Sequence, residues 1–269
     1  MKVYRNLKTI QSKEKFGRRL SLAGLLVLML GLVVNFTPNW FPPDQPAPHA
    51  LGAFLQQYWT YISMASLVGG FLLASMGSYY INRFARRRWP GSKLIERPDE
   101  VLERSMKGFD DKYAYFSYSL PAPYMLVGPS GITILAARSD KGRVVVNGDK
   151  WREPFSLSRI FTVFAREGVG NPVRDIAEQE QKLRDLLAGA DDGVKDAFQE
   201  VPFNSAAVFL NQDVQLEVDN PDVPVLRADQ LKDFVRKRGK EVKVQPSTLR
   251  ELTDYLVSVS DYEKGGEGE

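Results

Sequence analysis

The sequence predicts an α/β domain, a mixed central sheet flanked by helices, preceded by an all-α two-helix membrane hairpin. Three observations carry that reading. Leu20–Phe36 and Tyr58–Ile81 are apolar runs without an Asp, Glu, Lys or Arg, each about the length that crosses a bilayer. Tyr124–Val127, Ile132–Ala137 and Val144–Val146 are short, near-continuous apolar runs separated by Gly128-Pro129-Ser130-Gly131 and Lys141-Gly142. Runs of that kind between turn residues are strands covered on both faces. Asn171–Gly189 carries Val173, Ile176, Ala177, Leu183 and Leu187 at helical spacing, with an Asn-Pro start and a Gly stop.

Residues 1–19 are short, polar and basic and read as a disordered cytoplasmic tail. Residues 20–36 form the first span; they are long for the apolar core of a signal peptide, and no small-x-small cleavage site follows closely. Residues 37–57, with five prolines and no Lys or Arg, are a short non-cytoplasmic loop. Residues 58–81 form the second span, flanked by the interfacial aromatics Tyr58, Trp59, Tyr79 and Tyr80. Ser66, Gly70, Ala74 and Ser78 put small residues on one face of that helix and let another helix approach. The first span is the expected neighbour; a homodimer seam is the second reading.

Basic residues stand at both outer flanks, Arg18 and Arg19 on one side and Arg83, Arg86, Arg87 and Arg88 on the other. The positive-inside rule then places both ends in the cytoplasm, with the chain crossing the cell membrane twice. Residues 82–95 are a basic juxtamembrane linker that suits anionic lipid. Neither span carries an ionisable residue, which argues against a transporter or channel.

Residues 96–260 form the soluble domain. Pro98–Lys107 reads as a helix with Asp99 as its N-cap. Lys112–Leu120, Tyr124–Val127, Ile132–Arg138 and Arg143–Asn147 read as a four-stranded meander. Phe155–Phe164 is apolar without a clear period. After the helix at Asn171–Gly189, Val194, Ala197 and Phe198 extend a second short helix. Ser205–Leu210 is a buried strand with Val214–Val218 as its hairpin partner, and Val223–Leu226 is a further short strand. Helices follow at Ala228–Arg238 and Ser247–Ser258, and residues 261–269 are a disordered tail.

The 269 residues include no Cys and one His, His49, in the Pro-rich loop. Disulfides, thiol nucleophiles, Cys-zinc sites and His-based triads are therefore excluded. From Glu96 onward there are 24 basic and 31 acidic residues, the opposite of the balance expected of a nonspecific nucleic-acid binder. The basic residues Arg138, Lys141, Arg143, Lys150 and Arg152 nonetheless lie close together in sequence and could form a local nucleic-acid-binding face.

The stretch LVGPSGITIL, the following Lys141-Gly142 and Trp151 resemble the nuclease-related domain (NERD) family, a branch of the PD-(D/E)XK restriction-endonuclease-like fold. VFLNQDVQLEV and VPVLRADQLKDFV resemble that family's carboxyl half. The resemblance runs from about Glu96 to Arg238. It implies an Asp before the Gly-Pro-x-Gly turn, then Glu-x-Lys at the end of the next strand, the carboxylates holding Mg²⁺. Here those positions are Pro123, Ala136 and Arg138. Pro and Ala offer no side-chain oxygen to a metal, and Arg138 stays protonated. No metal site is therefore expected. The resemblance also implies a metal-site Glu on a first helix, for which Glu100 and Glu103 are the candidates, Glu100 preferred by spacing; Asp140 lies just beyond Arg138.

Three functions follow as expectations. The first is a membrane-anchored pseudoenzyme acting as an interaction or scaffold module for a protein partner. The second is a non-catalytic nucleic-acid binder at the membrane. The third is an active nuclease with a site migrated to Glu100 and Asp140, which alone would need Mg²⁺.

Overall fold

Neighbouring residues of one strand point to opposite faces, and here both faces are buried. In the computed structural model, which describes residues 1–86, 95–154, 169–199 and 201–262, Tyr115 and Phe116 are both wholly buried yet belong to different cores. The same alternation runs through β3 (Tyr124–Gly128) and β4 (Gly131–Arg138). Met125, Val127, Ile132, Ile134 and Ala136 enter one core; Tyr124, Leu126 and Leu135 enter the other. A sheet covered on both faces needs no polar side, which is why these strands read as unbroken apolar runs.

The main sheet has six strands in the order β1-β2-β3-β4-β7-β9, with β1 at Lys2–Arg5, β2 at Ala114–Ser117, β7 at Phe203–Phe209 and β9 at Val225–Arg227. β2, β3 and β4 run antiparallel in sequence order; β1 joins β2, and β7 joins β4, in parallel. The β3–β4 turn is closed by Gly131 at φ +95°, where a Cβ would stand 2.2 Å from the Pro202 carbonyl. Only glycine fits that position.

Helices α5 (Pro172–Ala188), α6 (Asp192–Gln199) and α8 (Pro246–Val259) cover the first core through Ile176, Leu183, Leu187, Val194, Leu249, Leu252 and Leu256. α4 (Pro98–Ser105) and α7 (Leu231–Glu241) cover the second through Leu102, Leu231 and Val235. The expected start of α5 is as read: Asn171 accepts a hydrogen bond from the Arg174 amide at 3.1 Å, and Pro172 follows it.

Two strand assignments are corrected. β5 (Arg143–Asn147) does not extend the meander but pairs with β6 (Lys150–Arg152) and β8 (Gln215–Asp219) in a separate three-stranded sheet. β4 has no edge left for it, because β7 occupies that edge from Ile132↔Phe203 to Arg138↔Phe209. β8 is likewise no hairpin partner of β7, whose other edge is taken by β9. Val144 and Val146 instead bury with Val169, Phe209 and Val214 in a third small core.

The expected disordered tail is also corrected. Lys2–Arg5 is β1, and Leu7–Val34 is one continuous helix, α1. Lys-Val-Tyr-Arg alternates, and its partner β2 offers the matching face: Tyr4 stacks on Phe116 with ring centroids 5.0 Å apart. Asn6 ends the strand and starts the helix, its side chain accepting from the Thr9 amide at 2.8 Å.

The chain divides into two units. One gathers Met1–Ile10 with the described residues from Arg86 onward; the other is Gln11–Ala85. The second unit holds most of α1, the short α2 (Thr37–Trp40) and α3 (Ala50–Phe84). α1 and α3 are long and apolar enough to cross a membrane. Both exceed the expected spans, α1 by extending toward the N-terminus and α3 at both ends. Their outer faces expose Leu22, Leu26, Leu30, Leu67, Phe71 and Met76, a distribution suited to lipid rather than water. The fold class is thus two long apolar N-terminal helices followed by a mixed α/β sheet with helices.

Within the second unit, small residues bring α1 and α3 together. A Cβ on Gly24 would lie 2.4 Å from the Ala74 amide nitrogen, one on Gly31 2.5 Å from Ser66 Cβ, and one on Gly77 2.3 Å from the Ser21 nitrogen. Ser66, Gly70 and Ala74 face α1 as read from the sequence; Gly77, not Ser78, continues the seam. Gly17, Gly24 and Gly31 recur every seven residues, as Gly70 and Gly77 do. A seven-residue period keeps a seam facing its partner helix in a left-handed supercoil, whereas a strict step of four drifts off it. The face read alternatively as a homodimer seam is therefore occupied inside the molecule.

Candidate functional site

α4 is eight residues long, and its first turn gathers charges from three places in the chain. Asp99 is not the N-cap; Arg97 precedes the helix, and the Glu100 carboxylate accepts from the Arg97 amide at 3.1 Å. Asp99 instead points inward, wholly buried, with Arg5 Nε 2.8 Å from one oxygen and Arg97 Nε 3.0 Å from the other. A carboxylate at that depth requires such partners, because burying it unpaired would cost several kcal/mol. Arg5 also pairs with Glu103. Arg86 donates to Glu100 at 2.7 Å, and Arg97 reaches the same carboxylate at 2.9 Å.

The result is a clasp. Arg5 stands two residues before α1 and Arg86 two residues after α3, and both are held by α4. Burial pushes the Glu100 carboxyl upward, but hydrogen bonds from Arg86 and Arg97 and the charges of both outweigh it and hold it below the usual range. Burial lowers Arg5, and the opposing charges of Asp99 and Glu103 more than restore it, so it stays cationic. Burial, reinforced by Asp99, pushes the nearby Tyr115 phenol well up. Beside the clasp an open groove of about 450 Å³ is lined by Met1, Val3, Glu103, Met106 and Phe109 among others.

The strand–turn–strand expected from the apolar runs on either side of Gly128-Pro129-Ser130-Gly131 is present, Gly128 pairing with Gly131. Pro123 is half-buried just before β3, its carbonyl accepting from the Tyr118 amide at 2.9 Å. Ala136 is buried in the first core opposite Ala207. Arg138 is buried too; it donates to the Val169 carbonyl at 2.8 Å and pairs with Asp175 on α5. Glu100 belongs to the clasp. Asp140 is buried beyond the end of β4. Among the described residues no group of three His, Asp or Glu side chains is arranged to hold a metal ion.

The basic residues expected to form one face are not equivalent. Arg138 is inside, and Arg143 is paired with Glu217 at 2.7 Å through both donors. Lys141, Lys150 and Arg152 are exposed. Of the flanking arginines, Arg18 pairs with Glu14 at 2.7 Å, Arg19 is exposed, Arg83 donates to the Tyr79 hydroxyl at 3.3 Å, and Arg86 is in the clasp. Arg87, Arg88, the apolar Phe155–Phe164 and most of the C-terminal tail lie outside the described residues.

Three features go beyond what the sequence predicts above. Arg5 carries no local signal, because its partnership with Asp99 is made by β1 joining the sheet. The glycine heptad of α1 was legible as Gly17, Gly24 and Gly31 at equal spacing. α7 is predicted as a helix, and the same stretch of sequence crowds it with positive charge at Lys232, Arg236, Lys237, Arg238, Lys240 and the following Lys243. Compared with known proteins, the chain matches no family model, no curated protein and no solved structure.

Proposed function

We propose that the chain is a membrane-anchored pseudoenzyme, in which a two-pass hairpin holds a NERD-like, restriction-endonuclease-like domain on the cytoplasmic face as a non-catalytic interaction or scaffold module. One observation carries the anchoring: residues before the first apolar helix and after the second belong to one sheet, Lys2–Arg5 pairing with Ala114–Ser117. Both ends of such a hairpin must emerge on the same side of a membrane. The flanking arginines support the cytoplasm as that side.

The non-catalytic half of the reading is supported by the side chains at the motif positions. Ala136 is core, Arg138 is tied to Asp175, and Glu100 is held by two guanidinium groups. The same facts weaken a migrated nuclease site, and the pairing of Arg138 and Arg143 weakens the basic face proposed for nucleic acid.

The test uses the full chain. In vesicles, thiol labels at Lys2→Cys and Lys150→Cys should react from the same side, and one at Asp44→Cys from the other; labelling of Lys2→Cys and Lys150→Cys from opposite sides would refute the hairpin. Supercoiled plasmid with Mg²⁺ or Mn²⁺ should migrate unchanged, and chelator-sensitive nicking would refute the pseudoenzyme. The family alignment has its own test in the combined variant Pro123→Asp, Ala136→Glu, Arg138→Lys. Burying a carboxylate at Ala136 should destabilise the fold, and Mg²⁺ should then raise the melting temperature if the alignment is right. No rise would count against it.

A further inference from the structure

α7 carries a charge opposite to that of the domain it belongs to. Residues 231–243 contain six basic side chains and two acidic ones, Asp233 and Glu241. The remainder from Glu96 onward contains 18 basic against 29 acidic. The segregation is not relieved by local pairing. Arg238 pairs with Glu241 and lies over the Phe234 ring, and Lys232 donates to the Lys107 carbonyl. Arg236, Lys237, Lys240 and Lys243 are exposed and form no salt bridge among the described residues. Lys232, Arg236 and Lys240, four residues apart, form one row of the helix surface.

The face is rigid. Leu231 and Val235 on the opposite side of α7 are buried in the second core. Next to the charges, Val242 is 47 % exposed. Four to eight Lys or Arg on one helix, with an apolar residue beside them, is the pattern that binds anionic lipid headgroups.

We infer that the basic face of α7 docks on the anionic headgroups of the membrane that the same chain spans. Charge complementarity selects the partner class. Tethering selects this partner among anions, because β1 leads into α1 through Asn6 alone, so an anchored domain meets its own leaflet at high effective concentration. The inference rests on the membrane reading of the hairpin proposed above.

The cysteine-free chain makes the test direct. Val242→Cys, carrying an environment-sensitive fluorophore, reports the patch without removing a charge; Lys150→Cys is the control. The labelled full chain is reconstituted into vesicles of phosphatidylcholine alone, or with a third of the lipid replaced by phosphatidylglycerol. Co-flotation and resistance to alkaline extraction report the hairpin independently. The expected result is a blue shift and protection from acrylamide at Val242→Cys only in the anionic vesicles. It should be reversed by about 0.5 M NaCl, where the screening length falls to a few ångströms. Replacing Arg236, Lys237, Lys240 and Lys243 by Gln should abolish it, while Lys150→Cys stays unchanged throughout. A chain that floats but shows the same Val242→Cys signal in both vesicles overturns the inference and spares the hairpin. A chain that does not float overturns the membrane reading. A response to added oligonucleotide in neutral vesicles, with none to anionic lipid, would make the face a nucleic-acid surface and overturn it equally.

Discussion

Arg5 Nε lies 2.8 Å from Asp99 Oδ2, so a residue that precedes the first membrane-length helix neutralises a wholly buried carboxylate that follows the second. Removing one partner of a buried pair leaves the other uncompensated. Arg97 still faces Asp99 in such a variant, which limits the damage. Arg5→Met should therefore lower stability by about 3 kcal/mol, toward the lower end for a broken buried pair. Denaturant unfolding of the detergent-solubilised chain measures it. Amide exchange of Lys2–Arg5 should accelerate in the same variant. Arg5→Met combined with Asp99→Asn should cost less than the two singly, since the cycle isolates their coupling. Strict additivity would show that the two charges act independently.

Stability should fall in acid partly through Glu100. Its carboxyl is held below its ordinary value in the folded chain, so the unfolded chain binds the proton more readily. A group of this sign contributes its full stability above its unfolded pKa and loses it as pH drops through the folded one. The expected window runs downward from about pH 4.3, the ordinary value for Glu. Glu100→Gln should flatten the pH dependence of unfolding in that window and leave it unchanged at neutral pH. An unaltered acid limb would mean that other carboxylates carry the effect.

How much of this was legible depends on whether a feature is local. The turn at Gly128–Gly131 announces itself, because Gly131 must adopt positive φ against the Pro202 carbonyl. The helix at Pro172 announces itself through its Asn cap. The separation of β5 from the meander does not. Val144–Val146 would pair acceptably with any free edge, and the choice is made when β7, sixty-odd residues later, fills the edge of β4. β1 is the same case in stronger form. Lys-Val-Tyr-Arg looks like a basic tail until β2 supplies Phe116 for Tyr4 and α4 supplies Asp99 for Arg5. At the candidate site the identities at Pro123, Ala136 and Arg138 were readable. What Arg138 does was not, since Asp175 reaches it from another element.

The glycine seam makes a graded prediction. Gly24→Leu drives a side chain into the backbone of α3 at Ala74, where only helix separation relieves the clash. Gly69, one residue from Gly70, has nothing within 4 Å of its would-be Cβ. Overpacking of a close contact typically costs about 1–3 kcal/mol. Gly24→Leu should lower the melting temperature in detergent by several degrees, and Gly69→Leu should leave it nearly unchanged. Equal effects at the two positions would mean that helix propensity rather than packing governs the hairpin.

The strand β1 makes the domain from Glu96 onward incomplete when expressed alone. Without it the outer edge of β2 loses its ladder partners, Phe116 loses the Tyr4 ring, and Asp99 loses Arg5. An exposed edge beside a buried carboxylate left with Arg97 alone favours aggregation as well as unfolding. The prediction is that this piece is poorly soluble or exchanges its β2 amides rapidly. A chain in which a flexible Gly/Ser linker replaces residues 11–85 keeps β1 and needs no membrane, provided the linker spans the gap. It should be soluble and should unfold cooperatively, with β2 protected. If the domain from Glu96 alone matches it in melting temperature and in β2 protection, then β1 is an accessory strand. Otherwise the two long helices are an insertion between two strands of one sheet, and the domain completes its edge only when the chain before the first helix returns to β2.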